Sequence, residues 1–384
     1  MSVIQIGLIP SPDLPTILAR RLAKELPRFL TRSISSEIEW KVDVITDPLI
    51  GAAEKTKVLM DETAAIKKRK GWDYAFCLTD LPLYDGKDVV LADADFKQGI
   101  AQLSIPAFGF FPLRHNVRKT IIHIMKELYA IGLTEDGKER ALAQRINHSK
   151  SLNKKEFPLS MIKRVDSTTL GEKVDLHYII RPRLHGKVRL MFGMTLANRP
   201  WTIIPAFKQI VAVAFATGAY GLIFPTLWQI SASLEAWRFI GLMLAAILCL
   251  IVWIIVAHEL WEKPANKDEN KISKLYNRAT VLSLIIAISV YYMALYVLFL
   301  LTSLLFVPPD LFKSLASLKE ATSFGNYVKL AWLATSIATL AGSIGVALEN
   351  QDSVKNIMYG YRQRVRYNKT KENEDQYGKW DIHD

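Results

Sequence analysis

The run AWRFIGLMLAAILCLIVWIIVAHEL, residues 236–260, decides the architecture of this chain. Its charged residues, Arg238 and Glu259, lie at its two ends. An α-helix needs about 20 consecutive apolar residues to cross the hydrocarbon core of a bilayer, which is roughly 30 Å thick. Buried helices of soluble proteins seldom stay apolar over such a length. The run therefore predicts a transmembrane helix.

Three further apolar runs of similar length lie on either side of it, at residues 203–229, 279–307 and 328–348. The link between the first two runs, around residues 231–235, is short, so these runs form a hairpin. We therefore expect an all-α bundle of four transmembrane helices over residues 201–348. The chain would be a multi-pass protein of the cell membrane, with a charged cytoplasmic tail over residues 349–384.

The first 150 residues have the mixed composition of a soluble domain, in which segments of period two alternate with segments of helical period. The predicted strands are residues 3–9, 37–46, 72–78, 89–92 and 100–105, and the predicted helices are residues 14–30, 54–70, 116–131 and 134–148. Alternating strands and helices predict an α/β domain with a single mixed sheet flanked by helices. We expect residues 151–200 to form a linker, a short β segment near 174–181 and an interfacial helix.

The net charge of +12 is concentrated in one part of the chain. Residues 1–113 have 14 Lys/Arg against 15 Asp/Glu, whereas residues 114–200 have 18 against 8. The basic stretch leads directly into the first apolar run. Its predicted partner is a bilayer with anionic head groups, which attracts each Lys/Arg near the surface by about 1 kcal/mol. No nucleic-acid recognition module accompanies the charge, so we do not expect nucleic acid as a partner.

Lys/Arg asymmetry predicts the orientation of the chain in the membrane. The basic groups are residues 181–199, the loop residues Lys263, Lys267, Lys271, Lys274 and Arg278, and the tail residues Arg362, Arg364, Arg366, Lys369 and Lys371. The opposite side has Arg238, Lys313 and Lys319. The N-terminus also lacks a basic, apolar secretory signal. We therefore expect both termini in the cytoplasm.

Several residues are candidates for the membrane interface. After Gly186, apolar residues at helical spacing predict a short helix that lies on the bilayer. The interface candidates are Lys187, Arg189, Arg199, Trp201, Lys208, His258, Glu259 and Trp261. The polar residues close to the inner ends of the spans have two interpretations, an interfacial belt or part of a proton or ion path.

Small residues occur at i+4 spacing on two faces of the fourth apolar run. These residues are Ala331, Thr335, Thr339 and Ser343 on one face and Ala334, Ala338 and Gly342 on the other. Such faces permit close helix packing. Packing within the bundle and contact between copies of the chain, giving a homo-oligomer, are both open.

Two features of the soluble domain could carry chemistry. The strand Val89–Ala92 ends in Asp93-Ala-Asp95, and paired carboxylates can hold a divalent cation against a diphosphate, although a solvated strand end has the same pattern. The element order up to the helix at 117–128 is also similar to that of metzincin proteases, in which a His-Glu-x-x-His helix binds zinc. Here His123 matches the first ligand, Ile124 replaces the base and Glu127 replaces the second ligand. The metal candidates are thus Asp93, Asp95, His123 and Glu127.

Four segments of the chain resemble a family of bacterial membrane proteins, mainly from Gram-positive species, whose role is uncharacterised. The segments are Cys77–Leu83, Ala101–Ala107, Gly193-Met194 with Ala197–Trp201, and His258–Glu262. Members of that family are sometimes labelled 5,10-methylenetetrahydrofolate dehydrogenases. The label implies folate and NADP sites, but the one Tyr-x-x-x-Lys spacing lies at Tyr367 and Lys371 in the charged tail, and residues 1–200 contain no Gly-x-Gly-x-x-Gly.

The sequence therefore assigns no catalytic residue and no cofactor. We expect a non-enzymatic binding or scaffold module, tethered to the membrane, whose ligand or protein partner is unknown. The first alternative is a membrane-bound enzyme that uses the Asp80–Asp95 region, either a metal-dependent transferase or the labelled folate dehydrogenase. The second alternative is a transporter or channel. Cys77 and Cys249 are expected to be reduced and buried.

Overall fold

The computed structural model describes residues 2–48, 50, 56–85, 88–110, 112–132, 161–166, 176–181, 183–202, 204–262, 270–318, 320–343, 355 and 361. The described chain is divided into two compact units, and the boundary lies between Ala197 and Asn198. The first unit contains a mixed β-sheet with flanking helices, and the described part of the second is helical. The predicted α/β class of the N-terminal part is therefore confirmed.

One eight-stranded sheet runs through the first unit in the order β2-β1-β3-β6-β5-β8-β7, with β4 paired to β5. The strands are β1 (Ser2–Pro10), β2 (Ile38–Val44), β3 (Tyr74–Thr79), β4 (Leu83–Asp85), β5 (Asp88–Asp95), β6 (Ile100–Ser104), β7 (Met161–Asp166) and β8 (Leu176–Arg181). Neighbouring strands among β2, β1, β3 and β6 are parallel. Strand β5 is antiparallel to both β6 and β8. The inner strand β3 is apolar and buried along most of its length, because helices cover parallel sheets on both faces. The edge strand β2 instead alternates apolar residues with Glu39, Lys41 and Asp43.

Four helices belong to this unit: α1 (Leu14–Ser33), α2 (Thr56–Lys70), α3 (Leu113–Gly132) and α4 (Arg183–Ala197). Helix α1 buries Leu18, Leu22, Leu26 and Leu30, which recur at the spacing of one helical face. Residues of helix α2 and Trp72 belong to a buried apolar cluster that also includes Ile9 of β1 and Cys77 of β3. The predicted helix at 134–148 lies outside the described residues.

Part of the segment predicted to be a linker forms a strand of the sheet. Residues 161–166 form β7, and β8 joins it to the rest of the sheet. Strand β7 has Lys163, Arg164 and Asp166 among its six residues, and charged residues are common in strands at a sheet edge. Because of these charged residues, β7 lacks the apolar alternation that predicts the other strands from the sequence.

The second unit has six described helices: α5 (Lys208–Gly221), α6 (Pro225–Ser233), α7 (Ala236–Ala257), α8 (Asn270–Phe306), α9 (Pro309–Leu315) and α10 (Phe324–Gly342). Within the described residues, α7 and the Ile272–Phe306 part of α8 are long and apolar enough to cross a membrane. These two helices match two of the four predicted spans.

The predicted span at 203–229 is not one straight helix. Helices α5 and α6 together are long and apolar enough to cross a membrane, but they are bent by 91° at a short break. Proline has no amide hydrogen and disfavours helical backbone in the preceding residue. Pro225 begins α6 after Phe224, whose backbone is extended. The Trp228 indole donates a 2.9 Å hydrogen bond to the Leu222 carbonyl, which satisfies one acceptor at the break.

Helix α10 packs against α5, α6, α7 and α8. Apart from Ser343, which is partly exposed, the residues of its two small-residue faces are buried within the second unit. A Cβ atom on Gly342 would lie 2.8 Å from the Cβ of Ala214, so this glycine permits the close approach of α5. The packing-within-the-bundle interpretation accounts for both faces. Contact between copies through this helix stays a prediction.

Candidate functional site

A pocket with a volume of about 410 Å³ opens on the surface of the first unit. It lies between the first turns of α1 and α3, and Leu196 of α4 completes its wall. Its apolar lining consists of Leu14, Ile17, Leu18, Phe110, Pro112, Leu113 and Leu196, and its polar lining consists of Arg21, Arg114, His115 and Arg118. Small-molecule sites commonly have a volume of about 300–1,000 Å³ and combine apolar walls with a few polar groups.

Helices α1 and α3 hold the cationic groups of the pocket in place through Glu25. The Arg118 guanidinium donates a 2.8 Å hydrogen bond to the Glu25 carboxylate, and Arg114 forms an ion pair with the same carboxylate. Arg118 also lies 4.0 Å from the centre of the Phe29 ring, a cation–π contact. Arg118 is therefore fixed from three sides, because its other nitrogen lies 3.3 Å from Nδ1 of His115.

Arg21 is exposed, and no ion pair joins it to another residue in the part of the chain that the structure describes. The pKa of His115 is lowered by desolvation first and then by the positive charges of Lys119 and Arg118. His115 is therefore biased toward the neutral form. Three arginines and one carboxylate leave an excess of positive charge at the pocket.

The carboxylates of the Asp80–Asp95 region do not converge on one site. Asp80 accepts a 2.9 Å hydrogen bond from the Ser11 hydroxyl, at the carboxyl ends of β1 and β3. Asp95 accepts hydrogen bonds from the backbone and side-chain nitrogens of Gln98. Asp80 and Asp95 are thus hydrogen-bonded to different residues in different parts of the sheet.

Asp93 belongs to a buried polar row that crosses three strands. Its carboxylate lies 2.7 Å from Nδ1 of His177 on β8 and accepts a 2.7 Å hydrogen bond from the amide of Gln102 on β6. All three side chains are buried. The strand register places them side by side, because Asp93 is the partner of both Gln102 and His177. Sequence reasoning missed His177, since only the register brings it to Asp93.

His123 and Glu127, the residues compared with a protease zinc site, lie one turn apart on α3. Nε2 of His123 is 3.4 Å from a carboxylate oxygen of Glu127, and the His123 ring packs edge-on against Tyr178. Ile124 is fully buried in the core. Across the described residues, no group of three or more His, Cys, Asp or Glu side chains is arranged to hold a metal ion.

The interface candidates of α4 divide between two faces of the helix. Lys187 is exposed, and so are Leu184, Val188 and Phe192, which form an apolar stripe at intervals of four residues. Arg189 points the other way, because its guanidinium donates a 2.9 Å hydrogen bond to the Phe108 carbonyl. The structure therefore places Arg189 within the α/β unit.

In the second unit, most interface candidates lie at its surface. Trp201 and Trp261 are 46% and 57% exposed, and Lys208 and Glu259 are also exposed. His258 is buried at the end of α7. Large exposed apolar side chains continue along α7, including Leu248, Val252 and Val256, as expected for a helix surface that contacts lipid.

No protein-family model, curated protein or solved structure matches this chain.

Proposed function

We propose that the chain is a membrane-anchored binding module, in which the α/β unit holds a small ligand in the pocket between α1 and α3. The proposed anchor is a four-span bundle made of the bent pair α5–α6 with α7, α8 and α10. Both termini are placed in the cytoplasm. The role is non-enzymatic.

The pocket is the observation that carries this proposal. Its walls come from α1, α3, α4 and the segment around Phe110, so a ligand there would contact most of the helices on that side of the sheet. The Asp80, Asp93 and Asp95 carboxylates are engaged with Ser11, His177, Gln102 and Gln98 instead. The described geometry therefore favours binding at the pocket over chemistry at the carboxylates.

Membrane anchoring rests on the second unit. Helix α7 and most of α8 are apolar over the required length, and the bent pair is long enough to be a third crossing. Helix α10 is not among the described helices that are long and apolar enough to cross a membrane, but it packs against α5, α6, α7 and α8. A bundle with α10 as the fourth span would bury its small-residue faces in the way described above.

The test is purification of the full chain from native membranes, followed by mass spectrometry of the bound small molecules. Ile17→Trp fills the pocket, whereas Arg20→Trp places the same side chain on the exposed face of α1 as the matched control. A small molecule should copurify with the unsubstituted chain and with Arg20→Trp, and it should be lost from Ile17→Trp. Equal recovery from all three chains would place the ligand elsewhere, and no copurifying molecule would contradict the proposal.

A further inference from the structure

We infer that the ligand of this pocket is an amphiphile with one acidic headgroup and a single apolar chain. This inference rests on the proposed function and adds the chemical class of the ligand. The headgroup chemistry is that of a carboxylate or a phosphate. The apolar chain would lie in the pocket and the acid at its cationic edge.

The apolar part of the inference comes from the lining. Leu14, Ile17 and Leu18 of α1 face Leu113 of α3 and Leu196 of α4 across the pocket, with Phe110 beside them. Ile17 and Phe110 are 38% and 46% exposed. Burial of such surface is favourable in proportion to the apolar area removed from water. A ligand without an apolar segment would leave this surface in water.

The charge of the pocket selects the headgroup. Arg114 and Arg118 both pair with Glu25, and Arg21 at the same pocket has no ion pair among the described residues. Guanidinium groups bind carboxylates and phosphates through two parallel hydrogen bonds. A cationic headgroup would be repelled here, and a neutral alcohol would leave the excess charge uncompensated.

The N-terminal end of α3 adds to the positive electrostatic potential at the pocket. The helix runs for 20 residues from Leu113, and the Asn116 amide in its first turn donates a hydrogen bond to the Pro112 carbonyl. The amides of a helix's first turn lack internal acceptors, and the helix dipole favours an anion there. The pocket is lined by residues 112–115 of this turn, so the backbone and the arginines favour the same charge.

The experiment uses the full chain in nanodiscs of phosphatidylcholine and an octanoate probe with a diazirine at the end of its chain. After irradiation, mass spectrometry maps the labelled residues. We expect label in the α1 segment 14–18 and at Leu113. Octanoate and octyl phosphate should both compete with the probe, and the stronger competitor of the two identifies the headgroup as a carboxylate or a phosphate. Octan-1-ol should compete at least about tenfold more weakly, the factor expected for loss of one charge-assisted hydrogen bond. Label on the exposed face of α7 serves as the internal reference for probe dissolved in lipid.

Variants separate the headgroup from the apolar site. The double variant Arg21→Gln/Arg114→Gln should reduce pocket labelling by the octanoate probe about tenfold, with little change for an octanol probe of the same length. Arg20→Gln, one residue away on the exposed face of α1, should change neither. Equal labelling by both probes in every chain would overturn the acidic-headgroup inference and leave the pocket a ligand site. Absence of pocket labelling by either probe, with α7 still labelled, would overturn the proposed function as well.

Discussion

The Asp93 carboxylate is the centre of the polar row that joins β6, β5 and β8. It is 1% exposed and contacts both His177 and Gln102 at 2.7 Å. A buried polar group that loses its partner incurs a desolvation penalty that is not recovered. The row therefore makes the pairing of these strands specific to one register, because a slip of one residue would move Asp93 to the opposite face of the sheet.

Asp93→Ala should lower the free energy of unfolding of the α/β unit by about 3 kcal/mol, since it leaves His177 and Gln102 buried without this partner. Asp61→Ala, at an exposed position of α2, should change it by less than about 0.5 kcal/mol. Pulse proteolysis of the full chain across a urea series measures both. Equal stability of the two variants would mean that the row contributes no net stabilisation.

Cys77 should be chemically inert in the folded chain. Burial raises the pKa of its thiol to about 12, and the thiolate is the reactive species. Because the folded state favours the neutral thiol, its contribution to stability is fully present below the unfolded pKa of about 8.5 and declines as pH rises above that value. In a Cys249→Ser background, a maleimide should label Cys77 at pH 8 in urea and not in buffer. Rapid labelling of the native chain would contradict the buried placement.

Helix α4 is an element whose position depends on one glycine. A Cβ atom on Gly193 would overlap the carbonyl of Pro106, whereas one on Gly186 would make ordinary contact with Ile180 at 3.5 Å. Helix α4 therefore lies directly on the 3-10 turn formed by Ile105–Phe108, and Leu190 and Met194 are fully buried beside it.

Gly193→Ala should destabilise the α/β unit by about 1–3 kcal/mol, the usual effect of overpacking. Gly186→Ala on the same helix should be neutral or stabilising by up to about 1 kcal/mol, because alanine favours helix more than glycine does. The same proteolysis measurement compares them. If Gly193→Ala were as stable as Gly186→Ala, the close approach of α4 would be wrong.

The exposed stripe Leu184, Val188 and Phe192 should contact lipid. Amphipathic helices with basic residues beside such a stripe lie in the headgroup region of bilayers, and Lys187 is exposed next to it. A spin label on Phe192→Cys, in the Cys249→Ser background and in nanodiscs, should be more accessible to oxygen than to a water-soluble nickel complex. A label on Arg20→Cys should show the reverse. If both labels favour the nickel complex, the stripe faces water.

The sequence predicts those strands and helices whose apolar residues follow a regular local period. The strand at 3–9 and the helix at 14–30 were found because their apolar periods reflect the faces that they bury. The break at Pro225 had a signal, a proline after Gly221, but the long apolar run obscured it. The pocket had none, because residues near 14, 112 and 196 meet only through tertiary packing. The partner of Asp93 was hidden for the same reason, since β8 reaches β5 across 84 positions.

For the whole molecule, the bent pair α5–α6 is the element on which membrane topology depends. A pair bent by 91° could cross the bilayer as a broken span or return to the side from which it entered. If it returned, α7 would begin inside and the segment 263–278, with its five Lys/Arg, would face outward. Basic loops are retained in the cytoplasm. The charge therefore favours a crossing, and in the proposed topology the short link around Leu234 would then lie outside and both termini inside.

Cysteine accessibility tests this topology in intact cells. In the Cys249→Ser background, a membrane-impermeant maleimide should label Ser233→Cys from outside, whereas Asn266→Cys should react only after permeabilisation. Reporter fusions at residue 384 and within residues 310–325 should likewise show opposite compartments, because α8 and α10 then cross in opposite directions. If Asn266→Cys were labelled and Ser233→Cys protected, the bent pair would be a re-entrant loop. The basic segment 263–278 would then lie outside, against the charge asymmetry from which the orientation was inferred.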